Sequence, residues 1–385
     1  MAVQLPPLPL PEGVTSRQID TAPRGISFHI LEAGYSAALD RPLILLLHGF
    51  PELAYSWRKV MPLLAAGGYY VVAPDQRGFG RTTGWDTRDY DNVDLRDFAV
   101  TNLVRDMVVL VHALGYKSVE CIVGHDFGAV VAGYSALARP DFFKRVAFMN
   151  HPFVGARELS GKAEGGGAAD DDDIHRDLAA LNRKHYKWYY STRQANGDMT
   201  RPAQGLHEFL RGYFYLKSAT WLLNKPVELQ AWTAAELAKM PDYYVMPLYA
   251  SMPEAVAFSV ALETPLPVQE SRCWLPDDEL AVYVGEFART GFQGGLNWYR
   301  VATNSSPDFK RDLDIFAGRK IDCPCLYIGG ARDWGTYQVP GAIEKLANSV
   351  CEDFCEVIVD DAGHWLAQEK PQEVVDALAA FIHWQ

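Results

Sequence analysis

Gly124-His125-Asp126-Phe127-Gly128 sets a carboxylate between two glycines, directly after the apolar run Val119-Glu120-Cys121-Ile122-Val123. A G-x-D-x-G between a strand and a helix has the context of a sharp turn that pushes its central side chain out above a sheet. Glycines are needed where a Cβ would clash in such a turn. Ala129, Ala132 and Gly133 then let the following helix pack closely. An ionised aspartate needs no base to activate it. It suits attack on an electrophilic sp3 carbon, because carboxylates are poor nucleophiles toward amides and ordinary esters. The product is an alkyl ester on the protein. Hydrolysing that ester requires a base. His364, in Asp361-Ala362-Gly363-His364-Trp365, follows the last strand-like run and is placed for general-base work. Asp333, in Gly329-Gly330-Ala331-Arg332-Asp333, follows the preceding run and can orient His364. Asp360 and Asp361 compete for that role, but stand too near His364 to arrive from a neighbouring strand. Ser135 lies inside the predicted helix and not at the turn, so it reads as structural.

The elements that must position these groups can be read from periodicity. The runs 42–47, 69–74 and 119–123 predict strands buried on both faces, and 94–114 and 129–139 predict helices. Strands alternating with helices imply a mostly parallel central sheet flanked by helices. His48-Gly49-Phe50-Pro51-Glu52 follows the first strong strand. The amides of Phe50 and Phe127 are expected to face the charge developing on an ester carbonyl. A cis bond is expected before Pro51, and His48 reads as a structural hydrogen-bonder. Arg77, in the turn after 69–74, is expected to pair with a carboxylate. The pattern breaks after Pro152. Residues 160–173 read as a polar linker whose four aspartates form a solvated acidic loop and not a cation site. Residues 174–303 are rich in helix formers, Trp and Tyr. The strand–helix pattern returns at 325–328, 342–347, 356–359 and 372–383. The expected organisation is a core over 1–152, a helical insertion over 153–304 and the rest of the core over 305–385.

Bulk properties narrow the function classes. The 385 residues carry a net charge of −12, which argues against nucleic acid or anionic membranes as partners. No apolar run is long enough to cross a bilayer. Neither end carries a recognisable address, so a soluble cytoplasmic protein is expected. The six cysteines read as reduced thiols, with no zinc spacing among them.

With these motifs in place, the chain resembles the soluble epoxide hydrolases of the α/β-hydrolase superfamily. His48-Gly49-Phe50-Pro51-Glu52 with Ser56-Trp57-Arg58, the Asp126 turn and the loops of Asp333 and His364 are all similar to that family. Gly294-Gly295-Leu296-Asn297-Trp298-Tyr299-Arg300 looks like the last helix of its cap, and Lys187-Trp188-Tyr189-Tyr190-Ser191-Thr192 looks like fungal members. The resemblance implies an α/β-hydrolase fold with an inserted helical cap and the order nucleophile, acid, base. It implies that two cap tyrosines hold the epoxide oxygen. Tyr299 matches the second. For the first, Tyr189 is preferred over Tyr190, with Tyr213 and Tyr215 in reserve. A phenol with pKa near 10 is a suitable donor to the ring oxygen. The implied substrate-binding set is Phe50, Phe127, Trp188, Tyr189, Tyr299 and Trp365. The implied substrates are a small apolar epoxide and water, and no metal or cofactor is required. Asp333-Trp334-Gly335 departs from the commonest acid loop of the family.

Three other readings compete. A dehalogenase of the same fold would also use an aspartate on sp3 carbon, but typically places a halide donor just after it, where this chain has Phe127. A non-catalytic ligand receptor would not need an intact set of Asp126, His364 and Asp333. A serine esterase needs a serine at the turn. The substrate, its stereochemistry and any homo-oligomer are left open.

Overall fold

The computed structural model describes residues 5–383 apart from 23–24, 157–158, 160–170, 264, 305–308 and 310. Its strands are β1 (Val14–Asp20), β2 (Ser27–Ala33), β3 (Leu43–Leu47), β4 (Tyr70–Pro74), β5 (Cys121–His125), β6 (Val146–Met149), β7 (Arg183–His185), β8 (Val245–Pro247), β9 (Cys325–Gly330) and β10 (Phe354–Val359). Every residue of β3, β4, β5, β6 and β9 is buried, as strands covered on both faces must be. The sheet runs β1-β2-β4-β3-β5-β6-β9-β10. β1 and β2 pair antiparallel, as do β2 and β4. From β4 to β10 every pairing is parallel. The chain has the α/β-hydrolase fold, with a mostly parallel sheet of eight strands flanked by helices.

Helix Val100–Ala113 packs on helix Phe127–Ala138, and helix Met61–Ala66 on helix Pro371–Ile382. Their buried aliphatics join the sheet residues in one continuous core. Sheet strands stop at Met149 and resume at Cys325. The elements described between are helices and the small antiparallel pair β7 and β8, which forms its own ribbon.

Several expectations shift in detail. The helix expected over 94–114 divides into a 3-10 turn, Leu95–Phe98, and a helix from Val100. Ala99 is extended between them, and the Asp94 carboxylate caps the turn by accepting the Arg96 N–H. β5 begins later than 119 and continues to His125, because Gly124 and His125 still pair with Phe148 and Met149. β1 and β2 are not predicted by periodicity. Four consecutive exposed residues in β1 leave no alternation to detect. The linker expected over 160–173 lies largely outside the described residues. Its acidic end is not loop: helix Asp171–Ala180 takes it up, and Asp173 pairs with Arg176 at 2.5 Å. Aspartates near a helix N-terminus are favoured by the helix dipole. All six cysteines are free, and Cys121, Cys323, Cys325 and Cys351 are buried. Among the described residues no helix is long and apolar enough to cross a membrane.

Candidate active site

Asp126 stands where β5 gives way to helix Phe127–Ala138. Its φ of 50° and ψ of −118° lie in a region that costs a non-glycine residue about 1–3 kcal/mol. The turn closes because its glycines let backbone approach backbone. A Cβ on Gly128 would come within 2.5 Å of the Leu47 carbonyl oxygen, and one on Gly124 within 2.2 Å of the Gly128 oxygen. The Asp126 Oδ1 accepts the Phe50 N–H at 3.1 Å, and Phe50–Pro51 is cis. Phe127 is the first residue of the helix, with its ring edge-on to Trp298 and Tyr299.

His364 follows β10. Its Nδ1 lies 3.0 Å from Asp333 Oδ2, and the other Asp333 oxygen accepts the Gly335 N–H at 2.8 Å. The His364 Nε2 lies 3.7 Å from Asp126 Oδ2, which is too long for a direct hydrogen bond. Among the described residues nothing else partners that buried nitrogen. Burial of the pair pushes the Asp333 carboxyl up to about 7. Burial, reinforced by Lys217 and His125, pushes His364 well below the usual imidazole range. His364 is therefore neutral at neutral pH, with a free nitrogen facing the nucleophile. For Asp126, burial pulls upward, but His364, Lys217, His125 and His151 together hold the carboxyl below its usual value.

Four polar residues that sequence reasoning did not assign fix this arrangement. His125 Nδ1 pairs with Glu52 Oε2 at 2.5 Å, and its Nε2 donates to the His364 carbonyl at 2.8 Å. Asn150 donates to the carbonyls of Gly363 and His364 and accepts the Gly330 N–H. Glu369 accepts the N–H groups of Ala219, Gly363 and Trp365. Glu52 and His125 sit inside the motifs of Phe50 and Asp126, so a polar residue in a buried motif was the available signal. The remaining scaffold expectations hold. His48 donates from Nδ1 to the Gly49 carbonyl and accepts the Gln76 N–H. Arg77 makes a bidentate pair with Asp106, both bonds 2.7 Å.

Above Asp126 lies a cavity of about 390 Å³, lined mainly by apolar and aromatic side chains that include Phe127, Trp188, Trp298 and Tyr299. Tyr299 belongs to helix Gln293–Ala302. That helix sits close over the sheet because Gly294 abuts Gly78: a Cβ there would come 2.0 Å from the Gly78 oxygen. The Trp298 Nε1–H anchors it to the Arg77 carbonyl at 3.0 Å.

The first cap tyrosine differs from expectation. Tyr189 does not line the cavity. Its hydroxyl donates to Asp198 at 2.9 Å, in a separate surface recess that also holds Arg201 and Glu254. Tyr190 is buried, with its hydroxyl bonded to that of Tyr213. Tyr215 is buried and outside the cavity lining. Of the tyrosines on helix Tyr186–Tyr190, Tyr186 in its first turn lines the cavity, with its ring 6.0 Å from that of Tyr299. Asp198 captures the Tyr189 hydroxyl. The hydroxyls of Tyr186 and Tyr299 have no partner among the described residues. Burial and the Asp126 charge raise both phenols well above their ordinary value, so both remain protonated donors. Trp365 also differs from expectation. It packs 4.7 Å from the His364 ring and donates to the Phe214 carbonyl, away from the cavity. The Phe50 side chain packs against Tyr190 and Tyr299, and only its amide reaches the site.

Comparison with known proteins agrees with this geometry. Residues 42–187 match the alpha/beta hydrolase fold family. Epoxide hydrolase A of Mycobacterium tuberculosis (strain ATCC 25618 / H37Rv) is 31% identical over 374 residues, covering 96% of this chain and 97% of the relative. Epoxide hydrolase B of the same strain is 32% identical over 343 residues, covering 89% and 91%. The solved epoxide hydrolase from an endophytic Streptomyces superposes with a TM-score of 0.74 at 29% identity, covering 97% of this chain and 96% of that one. The chain belongs to the epoxide hydrolases of the α/β-hydrolase fold.

Proposed function

We propose that this enzyme converts small apolar epoxides to vicinal diols through an ester on Asp126. The observation that carries the reading is one apolar cavity with Asp126 at one wall, two unpartnered phenols, Tyr186 and Tyr299, in the same lining, and a neutral imidazole 3.7 Å from the carboxylate. The tyrosines donate hydrogen bonds to the ring oxygen. Asp126 attacks a ring carbon, the C–O bond breaks, and the oxygen takes a proton from one phenol. Esterification removes the negative charge of Asp126, one of the influences that raise both phenols, so the tyrosinate forms more easily at that moment. His364 Nε2 then takes a proton from water, and the hydroxide adds to the ester carbonyl. The amides of Phe50 and Phe127 stabilise the oxyanion. Collapse releases the diol oxygen, which takes the proton from His364, and the new Asp126 acid returns its proton to the tyrosinate. Asp333 orients His364 throughout. Residues 153–304 act as a cap over the cavity, and Trp188 is one of its apolar contacts with substrate.

The test is His364→Gln. With a simple aryl epoxide this variant should accumulate a protein species heavier by one substrate mass, read by intact-mass spectrometry. No adduct, with the cavity still accessible, would sink the scheme. Halide release assayed beside diol formation separates the dehalogenase reading.

A further inference from the structure

Lys217 is a buried cation that the cycle above does not use. It caps the C-terminus of helix Leu206–Leu216, where the helix dipole favours positive charge, and is only 3% exposed. Its ammonium faces three rings: Tyr244 at 4.8 Å, Tyr213 at 5.3 Å and Trp365 at 5.3 Å. No carboxylate among the described residues pairs with it. Burying an unpaired ammonium is costly, and aromatic faces offset that cost only in part. The charge stands beside the base loop. Trp365 lies 4.7 Å from the His364 ring, so the ammonium is no farther than about 10 Å from the imidazole. The Lys217 carbonyl also accepts the His364 N–H at 2.8 Å.

We propose that Lys217 is a positioning residue whose ammonium, buried beside the base loop without a paired carboxylate, favours a neutral His364 and the ionised forms of Asp126 and Asp333. The proposal rests on the ester mechanism above. Other charged groups face the same imidazole. Asp126 and His125 come from the end of β5, Asp333 from the loop after β9, and Glu52 from the loop after β3. His151 faces Asp126 from beyond β6. Glu52 is occupied by His125, and Asp333 by the imidazole itself. Lys217 is the cation of this group that has no close counter-charge among the described residues. The direction of its influence agrees at all three members of the triad, lowering Asp126, Asp333 and His364 together. The loop does not depend on the side chain for its shape, because the Lys217 contact to His364 is main chain and Glu369 ties Ala219 to Gly363 and Trp365.

The test measures single-turnover ester formation and ester hydrolysis against pH by rapid quench, for wild type, Lys217→Met and Lys217→Arg, with styrene oxide. A unit charge within about 10 Å at an effective dielectric near 20 changes an equilibrium on the order of tenfold. Lys217→Met should therefore hydrolyse the ester about tenfold more slowly than wild type on the acidic limb and approach it on the alkaline plateau. Lys217→Arg should restore the acidic rate. A loss that is equal at every pH, or an arginine variant no better than methionine, would overturn the proposal in favour of simple packing. Should Lys217→Met not fold, Lys217→Gln carried through the same pH profile replaces it, with the same expected and contrary results. A wild type that forms no ester at all refutes the ester mechanism. A normal ester cycle with an unmoved pH limb refutes the role of Lys217 alone.

Discussion

Tyr186→Phe removes one hydroxyl from the cavity and leaves its ring in place against Tyr190, Tyr244 and Tyr299. That hydroxyl has no partner among the described residues, so its removal strands no buried donor or acceptor. The loss should fall on ring opening, where an alkoxide develops. A hydrogen bond to a charged group contributes about 1.5–3 kcal/mol, and removal of one preorganised donor from an oxyanion site costs roughly 10²–10³ in rate. Since Tyr299 remains as a second donor, the expected loss in the alkylation rate is toward the lower end, about 10–100-fold. Hydrolysis of the ester, which uses His364 and the backbone amides, should change by less than about threefold, within the spread of a neutral change. Trp188, Trp232 and Trp298 line the cavity, so stopped-flow tryptophan fluorescence can follow the two steps separately. Tyr189→Phe is the control, because that hydroxyl is bonded to Asp198 in another recess. It should leave both steps within about twofold of wild type, because the hydroxyl removed lies outside the cavity. Equal slowing of alkylation by both variants, or slowing by Tyr189→Phe alone, would refute the assignment of Tyr186.

Other outcomes follow from the same geometry. Gly294→Ala drives a Cβ into the Gly78 backbone, so it should destabilise the fold by about 1–3 kcal/mol and slow alkylation by lifting Tyr299; thermal unfolding and the stopped-flow phase check both effects. His364 should stay unprotonated at pH 6.5, since burial keeps that imidazole neutral, so a limb of ester hydrolysis near pH 7 should belong to Asp333; titration of the His364 imidazole at or above 6.5, read by NMR, would contradict this. Stability should also fall with acid. His48, His151, His185 and His364 all have depressed values, with His151 at about 4, so between about pH 6.5 and 4 the unfolded chain takes up protons that the folded chain refuses. Asp333 and Glu369, both raised to about 7, and the raised His125, Asp106 and Glu356 bind protons earlier in the folded state and oppose the effect. Below about pH 4.5 the lowered carboxyls of Glu52, Asp75 and Asp126 add to the loss, because the unfolded chain protonates them first, so Tm should fall between about pH 4.5 and 3.

Much of this was legible in the sequence because the chemistry sits in short local motifs. The Asp126 turn is a run of glycines between a strand and a helix, and its close backbone approaches require those glycines. Asp333 and His364 each follow an apolar strand, and parallel neighbours β9 and β10 bring their C-terminal ends together. The cap was less legible. Tyr186, Tyr189 and Tyr190 crowd one short helix, and only Asp198, captured from the next helix, separates the free hydroxyl from the committed one. Trp365 adjoins the base in sequence, yet its indole turns to the Phe214 carbonyl. Lys217, and Glu369 in its bond to Ala219, reach the base loop across long sequence separations, which periodicity cannot detect. β1 lacks the alternation that marks a strand, and the acidic run at 171–173 has the composition of a loop although it starts a helix.

The most direct test of the covalent account uses excess wild-type enzyme and one turnover of epoxide in ¹⁸O-labelled water, with mass analysis of both the diol and the Asp126 peptide. Attack of water on the ester carbonyl predicts an unlabelled first-turnover diol and ¹⁸O in the Asp126 carboxyl. Label in the diol with an unlabelled Asp126 peptide would mean that water opens the epoxide directly, and would contradict the account.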